Sequence, residues 1–158
     1  MLTEGDIAPD VTLQMADGSA AALAQLARPL VLYFYPKDDT SGCTVEAKDF
    51  SAFAEAFAAA GVSVLGVSKN SPKDHAKFTA KYDLTVPLAT DADGQVTEAF
   101  GTWVQKSMYG RKYMGIERST FLIDADGKVA KVWRKVSVPG HAEEVLAAAR
   151  VLTAAASA

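Results

Sequence analysis

Val31 to Tyr35 is an unbroken apolar and aromatic run of strand length, and Pro36 stops it. A polar loop with Gly42 follows. From Cys43 the spacing turns helical and continues to residue 60, ending at Gly61, a residue suited to the left-handed end of a helix. At about 100° per residue, Glu46, Phe50, Phe53 and Phe57 share a roughly 80° sector with Cys43. The phenylalanines of such a stripe face the interior, so Cys43 and Glu46 lie at its protein-facing end, while Lys48 faces solvent. Residues 61–68, GVSVLGVS, read as a second buried strand. Ser71-Pro72-Lys73-Asp74 is an N-cap with proline at the first helical position, and opens a helix to about Tyr82.

The remaining pattern is shorter. Val11 to Gln14 is a strand candidate, followed by a turn at Ala16-Asp17-Gly18 and an Ala/Leu-rich segment from Ala20 to Ala27, closed by Arg28-Pro29. Val86 to Thr90 is another strand candidate, and a short helix is expected at Gln95 to Phe100. Residues 101–117 are the least regular stretch, expected as loop with an embedded hairpin. Ser119 to Asp124 and Lys128 to Lys135 are strands joined by Asp124-Ala125-Asp126-Gly127. A final amphipathic helix spans residue 140 to about Thr153. Strands alternating with helices imply a partly parallel sheet. The core order β-α-β-α-β-β-α predicts an α/β, thioredoxin-like fold, a central mixed sheet flanked by helices, with an N-terminal extension and one insertion. Residues 1–158 are expected to form a single domain.

Composition narrows the function. A net charge of −3 offers nothing to nucleic acid or an anionic membrane. No run approaches the ~18 apolar residues of a spanning helix, and the acidic start carries no secretory h-region. A single cysteine cannot form an internal disulfide, which suits a reducing, cytoplasmic compartment. That cysteine enters a helix at its first turn, where free N–H groups and the helix dipole stabilise a thiolate.

Pro36, three residues, Thr40, two residues and Cys43 match the active-site signature of the peroxiredoxins. The fuller string FYPKDDTSGCTVEA, with MYGRKYMGIERSTFLIDADGK and the closing WRKV and GHAEEVL, resembles the bacterioferritin-comigratory (PrxQ) branch from about residue 4 to 150. The resemblance implies a thiol-dependent peroxidase reducing hydrogen peroxide or organic hydroperoxides. Cys43 would attack the peroxide as a thiolate and become a sulfenic acid. Arg118, in ERSTF, would set a cation beside the sulfur, and Thr40 would hydrogen-bond the peroxide oxygens. Pro36 would wall the pocket, the Gly42 and Cys43 N–H groups would face the developing charge, and Glu46 would steady the arginine.

Two departures stand out. Ser41 occupies a position that is commonly proline in this branch. Lys48 and Thr79 stand where relatives carry a resolving cysteine, so the resemblance implies a one-cysteine cycle. An external thiol (thioredoxin, glutaredoxin or a small thiol) would regenerate Cys43, in a monomer or weak dimer. No cofactor, metal, nucleic acid or membrane partner is expected. The rival reading on the same scaffold is a non-catalytic thiol sensor or holdase-like protein. A disulfide oxidoreductase would need Cys-x-x-Cys. A cysteine hydrolase would need a histidine base, and His75 and His141 are expected at helix starts or exposed helix faces. Lys106, Arg111 and Lys112 among Met108, Tyr109 and Tyr113 read as a solvated basic loop.

Overall fold

The computed structural model describes residues 2–157. The strands are β1 (Thr12–Gln14), β2 (Ala20–Ala22), β3 (Leu30–Phe34), β4 (Ser63–Ser68), β5 (Leu88–Thr90), β6 (Trp103–Met108), β7 (Arg111–Ile116), β8 (Ser119–Ile123) and β9 (Val129–Trp133). The helices are α1 (Ser41–Ala52), α2 (Ala54–Ala59), α3 (Pro72–Tyr82), α4 (Gln95–Ala99) and α5 (His141–Ser157). Seven strands form one sheet in the order β2-β1-β5-β4-β3-β8-β9. β3 pairs parallel to β4 and antiparallel to β8, so the sheet is mixed.

All five residues of β3 are buried, which explains its continuous apolar run: a central strand has no wet face. Val31, Tyr33 and Tyr35 point to a core beneath α1, α2, α3 and α5, which contribute Phe50, Phe57, Phe78, Val145 and Leu146. Leu30, Leu32 and Phe34 point the other way, to a second core with Leu13, Leu23, Val96, Phe100 and Phe121. The longer helices therefore share one face of the sheet. The chain just past β2, with Leu23 and Leu26, and α4, with Val96, cover the opposite face. Gly66 in β4 sits opposite Tyr33; a Cβ there would lie 2.6 Å from the Tyr33 ring, so only glycine admits the aromatic.

Several elements differ from the sequence expectation. The helix expected over residues 43–60 begins two residues earlier, at Ser41, and breaks at Phe53 (φ −95°, ψ 8°). Ser51 explains the break. Its Oγ accepts from the Thr85 and Val86 N–H groups, and its carbonyl accepts from Thr85 Oγ1, drawing that turn toward residues 85–86. The Ala20–Ala27 segment is a strand followed by a 3-10 turn at Leu23–Gln25. Residues 103–116 are more regular than expected: β6 and β7 form a two-stranded ribbon whose turn, Tyr109-Gly110, has positive φ at both residues. No helix among the described residues is long and apolar enough to cross a membrane.

Candidate active site

Thr40 is the N-cap of α1 and Cys43 its third residue. The first intrahelical bond runs from the Thr44 N–H to Thr40 O (2.9 Å), which leaves the N–H groups of Ser41, Gly42 and Cys43 outside the helical ladder. The cap side chain does not take them either. The Thr40 hydroxyl donates instead to Lys37 O at 2.8 Å, back across the loop. The positive end of α1 thus stays open at the position of the thiol.

Cys43 is 2% exposed, with its sulfur turned into the protein. Arg118, in the two-residue link between β7 and β8, reaches it: Nη2 donates to Sγ at 3.4 Å, while Nη1 donates to Glu46 Oε1 at 2.6 Å. One planar guanidinium therefore spans the sulfur and the carboxylate, a geometry open to arginine and closed to lysine. Gly42 makes room for it, since a Cβ there would lie 3.1 Å from Arg118 Nη2. Burial lowers the Arg118 pKa, but Glu46 and Cys43 outweigh that and raise it overall, so the cation is permanent. Burial pushes Glu46 up to about 7, against the opposing pull of Arg118.

Of the residues singled out from sequence, Arg118 contacts both Cys43 and Glu46, and Gly42 packs against the guanidinium. Thr40, the N-cap, is exposed, and Pro36 is half-buried just past the end of β3. Thr40 makes no bond to the sulfur; its hydroxyl proton is engaged by Lys37 O, which leaves its lone pairs free. Lys48 is exposed on α1, with Nζ 5.0 Å from the Tyr82 ring centroid, and Thr79 is half-buried on α3.

Four residues gain a place that sequence reasoning did not assign. Tyr33 lies under the site with its hydroxyl buried and, like Glu46 Oε2, without a hydrogen-bond partner among the described residues. Burial, then the charges of Glu46 and Cys43, raise its pKa well above the ordinary tyrosine value. Lys106 on β6 is half-buried rather than solvated. Burial, aided by Arg118, lowers its pKa, while Cys43 and Glu117 oppose. The histidines lie in the first turns of α3 and α5, as expected, but not on exposed faces. His75 and His141 are both buried, the first against Asp38 and Ala89 O, the second against Thr120 Oγ1 at 2.8 Å. Neither bonds to Cys43, so neither supplies a base to the thiol. No local pattern signals these placements, because the histidines' partners come from elements elsewhere in the chain.

A lone buried thiol at a helix N-terminus, under a fixed arginine on this sheet, defines a thiol-based redox protein of the thioredoxin-like class. Residues 5–132 match the AhpC/TSA family, and the chain belongs to it. Within that family it is a peroxiredoxin of the Bcp/PrxQ branch, a thiol peroxidase. Peroxiredoxin Bcp of Xanthomonas campestris pv. campestris is 47% identical over 140 residues, covering 88% of each chain. Peroxiredoxin Bcp of Bacillus subtilis is 46% identical over 143 residues, covering 90% of this chain and 91% of the relative. The Xanthomonas campestris bacterioferritin comigratory protein, whose solved structures concern alkyl peroxide reduction, superposes with a TM-score of 0.87 at 43% identity, over 97% of this chain and 98% of that one.

Proposed function

We propose that the single domain formed by residues 1–158 reduces hydrogen peroxide and organic hydroperoxides in the cytoplasm through a one-cysteine cycle at Cys43. The Cys43 thiolate attacks one peroxide oxygen. The S–O bond forms as the O–O bond breaks, the departing oxygen leaves as alcohol or water after taking up a proton, and the sulfur becomes a sulfenic acid. Arg118 and the free N–H groups of Gly42 and Cys43 are arranged to stabilise the charge moving onto oxygen. Thr40, with its proton committed to Lys37 O, is suited to accept from the peroxide O–H and line up the O–O bond with the sulfur. Pro36 limits water at the rim.

With one cysteine in the chain, the sulfenic acid condenses with an external thiol to a mixed disulfide and water. A second thiol then releases Cys43 and leaves as disulfide. Thioredoxin, glutaredoxin or a small thiol could serve as donor, and a monomer or weak dimer suffices because the site is built within one chain.

The carrying observation is the shared guanidinium, 3.4 Å from Cys43 Sγ and 2.6 Å from Glu46 Oε1. Stopped-flow reaction of the reduced protein with one equivalent of peroxide tests the reading. Reaction far faster than free cysteine, a single sulfenic acid by mass spectrometry, and complete loss in Cys43→Ser are expected. Oxidation no faster than free cysteine would point to the thiol sensor or holdase instead.

A further inference from the structure

Tyr35, Asp38 and His75 take no direct part in the chemistry above, yet all three are buried and joined. The Tyr35 hydroxyl donates to Asp38 Oδ1 at 2.6 Å. His75 Nδ1 lies 2.7 Å from Asp38 Oδ2, and His75 Nε2 lies 3.0 Å from Ala89 O. A backbone carbonyl only accepts, so Nε2 carries a proton. The short contact at Nδ1 then requires a further proton between imidazole and carboxyl group. Whichever partner holds it, the pair is joined by a short, strong hydrogen bond. Burial, with Tyr33 and Asp38 adding to it, raises the pKa of Tyr35, which keeps its hydroxyl a donor.

This cluster ties the loop of residues 36–40 to three elements at once. Tyr35 follows directly on β3, His75 belongs to α3 and Ala89 to β5. The Asp38 N–H adds a fourth tie, donating at 2.9 Å to Asn70 Oδ1; the Asn70 backbone in turn bonds Ser68 Oγ and Thr90 Oγ1. The next residue, Asp39, has φ +60°, an uncommon conformation for a residue with a side chain, which persists where its surroundings hold it. Its carboxylate is gripped from the solvent side by Lys81 Nζ at 2.8 Å and the Tyr82 hydroxyl at 2.5 Å, both on α3. Thr40, the N-cap of α1, comes next. The backbone leading into the helix that carries Cys43 is thus held from inside by Asp38 and from outside by Asp39.

We propose that Asp38, gripped by Tyr35 and His75, is the positioning residue of the peroxide site: it fixes the 36–40 loop so that Thr40 and the open N–H groups of α1 align a bound hydroperoxide with Cys43 Sγ. The physical reason is that in-line attack depends on placement, and a displacement of about 1 Å costs on the order of 100-fold in rate. Removing one partner of a buried carboxylate leaves it unsatisfied, so the loop moves to expose it.

This inference rests on the peroxidase reading of Cys43. Its test compares two reactions of that sulfur in each variant: attack on hydrogen peroxide, which needs alignment, and alkylation by iodoacetamide, which needs only an available thiolate. His75→Phe and Asp38→Ala are expected to lower the peroxide rate constant by about tenfold or more while alkylation is no slower. Asp38→Asn, whose amide can donate to a neutral His75 Nδ1 and accept from Tyr35, is expected to restore the peroxide rate to within about threefold. Tyr35→Phe removes one hydroxyl and leaves the imidazole bond intact, so an intermediate loss is expected; it carries the same test should a more severe variant fold poorly. A fast wild-type protein with peroxide rates unchanged in all four variants, or with both reactions slowed in parallel, would overturn the positioning role alone. A wild type no faster than free cysteine would overturn the peroxidase reading, and this inference with it.

Discussion

Arg118 is the residue on which the site turns, because its two terminal nitrogens do different work. Nη1 is held by Glu46 at 2.6 Å and Nη2 addresses the sulfur at 3.4 Å. Lysine has a single ammonium on a flexible stem and cannot hold both contacts in one geometry. Arg118→Lys is therefore expected to lose about 1.5–3 kcal/mol of the interaction, the range for a hydrogen bond to a charged group. That corresponds to roughly a 10- to 150-fold fall in the second-order rate constant with hydrogen peroxide, measured by stopped flow; a rate within twofold of wild type would remove Arg118 from the mechanism. At this scale the sequence was informative. The 43/46 spacing places the cysteine and the glutamate on one helix face, and the ERSTF string, through resemblance, nominates the arginine. Nothing local shows that Gly42 must be small to admit the guanidinium, or that the Thr40 hydroxyl would turn to Lys37 O.

Elements were legible wherever periodicity was strong and burial complete. The buried runs of β3 and β8 and the capped start of α3 read directly from the chain; at α3, Ser71 accepts from the Asp74 N–H at 3.1 Å. The break at Phe53 was not legible, because it comes from bonds between Ser51 and residues 85–86 rather than from a helix-breaking residue. The same limit applies to the β6–β7 ribbon. Its residues are mostly exposed, and its apolar ones fall next to each other (Trp103-Val104, Tyr113-Met114) rather than alternating, so the pattern carries little strand signal, and its geometry shows only in the cross-strand register. Between β3 and β4 the fit is tight enough to test. Gly66→Ala would put a methyl group 2.6 Å from Tyr33 Cζ, and a strained core insertion costs about 1–3 kcal/mol. Urea unfolding should show a lowered midpoint with an unchanged slope, and the displaced Tyr33 ring should disturb the site above it. A midpoint equal to wild type would show that the ring can yield.

The whole molecule balances two buried titratable groups of opposite sense. Burial raises Glu46 from 4.5 to about 7, so the folded state holds that proton more tightly than the unfolded chain. Its contribution to stability is complete below pH 4.5 and is lost as pH rises through 7. Burial lowers His141 from 6.5 to about 4, so the folded state holds that proton less tightly. Its contribution is complete above pH 6.5 and is lost as pH falls through 4. Between about pH 4.5 and 6.5 the two slopes oppose each other. Glu46→Gln is expected to expose the histidine slope, losing stability on acidification. His141→Gln should expose the carboxylate slope, losing stability as pH rises to 7. Urea midpoints across this range check both, and a Glu46→Gln profile no steeper than that of wild type would count against the balance. By itself the amino-acid order determined the buried strands and the capped helix starts, the α/β architecture, the position of the sole thiol in the first turn of a helix and the want of a second thiol to resolve it, because these follow from local spacing and count. Only tertiary packing decided the order of the sheet, the burial of His75 and His141, the closure of Tyr35, Asp38 and His75 on the loop before Thr40, and the 3.4 Å approach of Arg118 to Cys43. Those depend on groups far apart in the chain that meet where desolvation makes each hydrogen bond and charge count most.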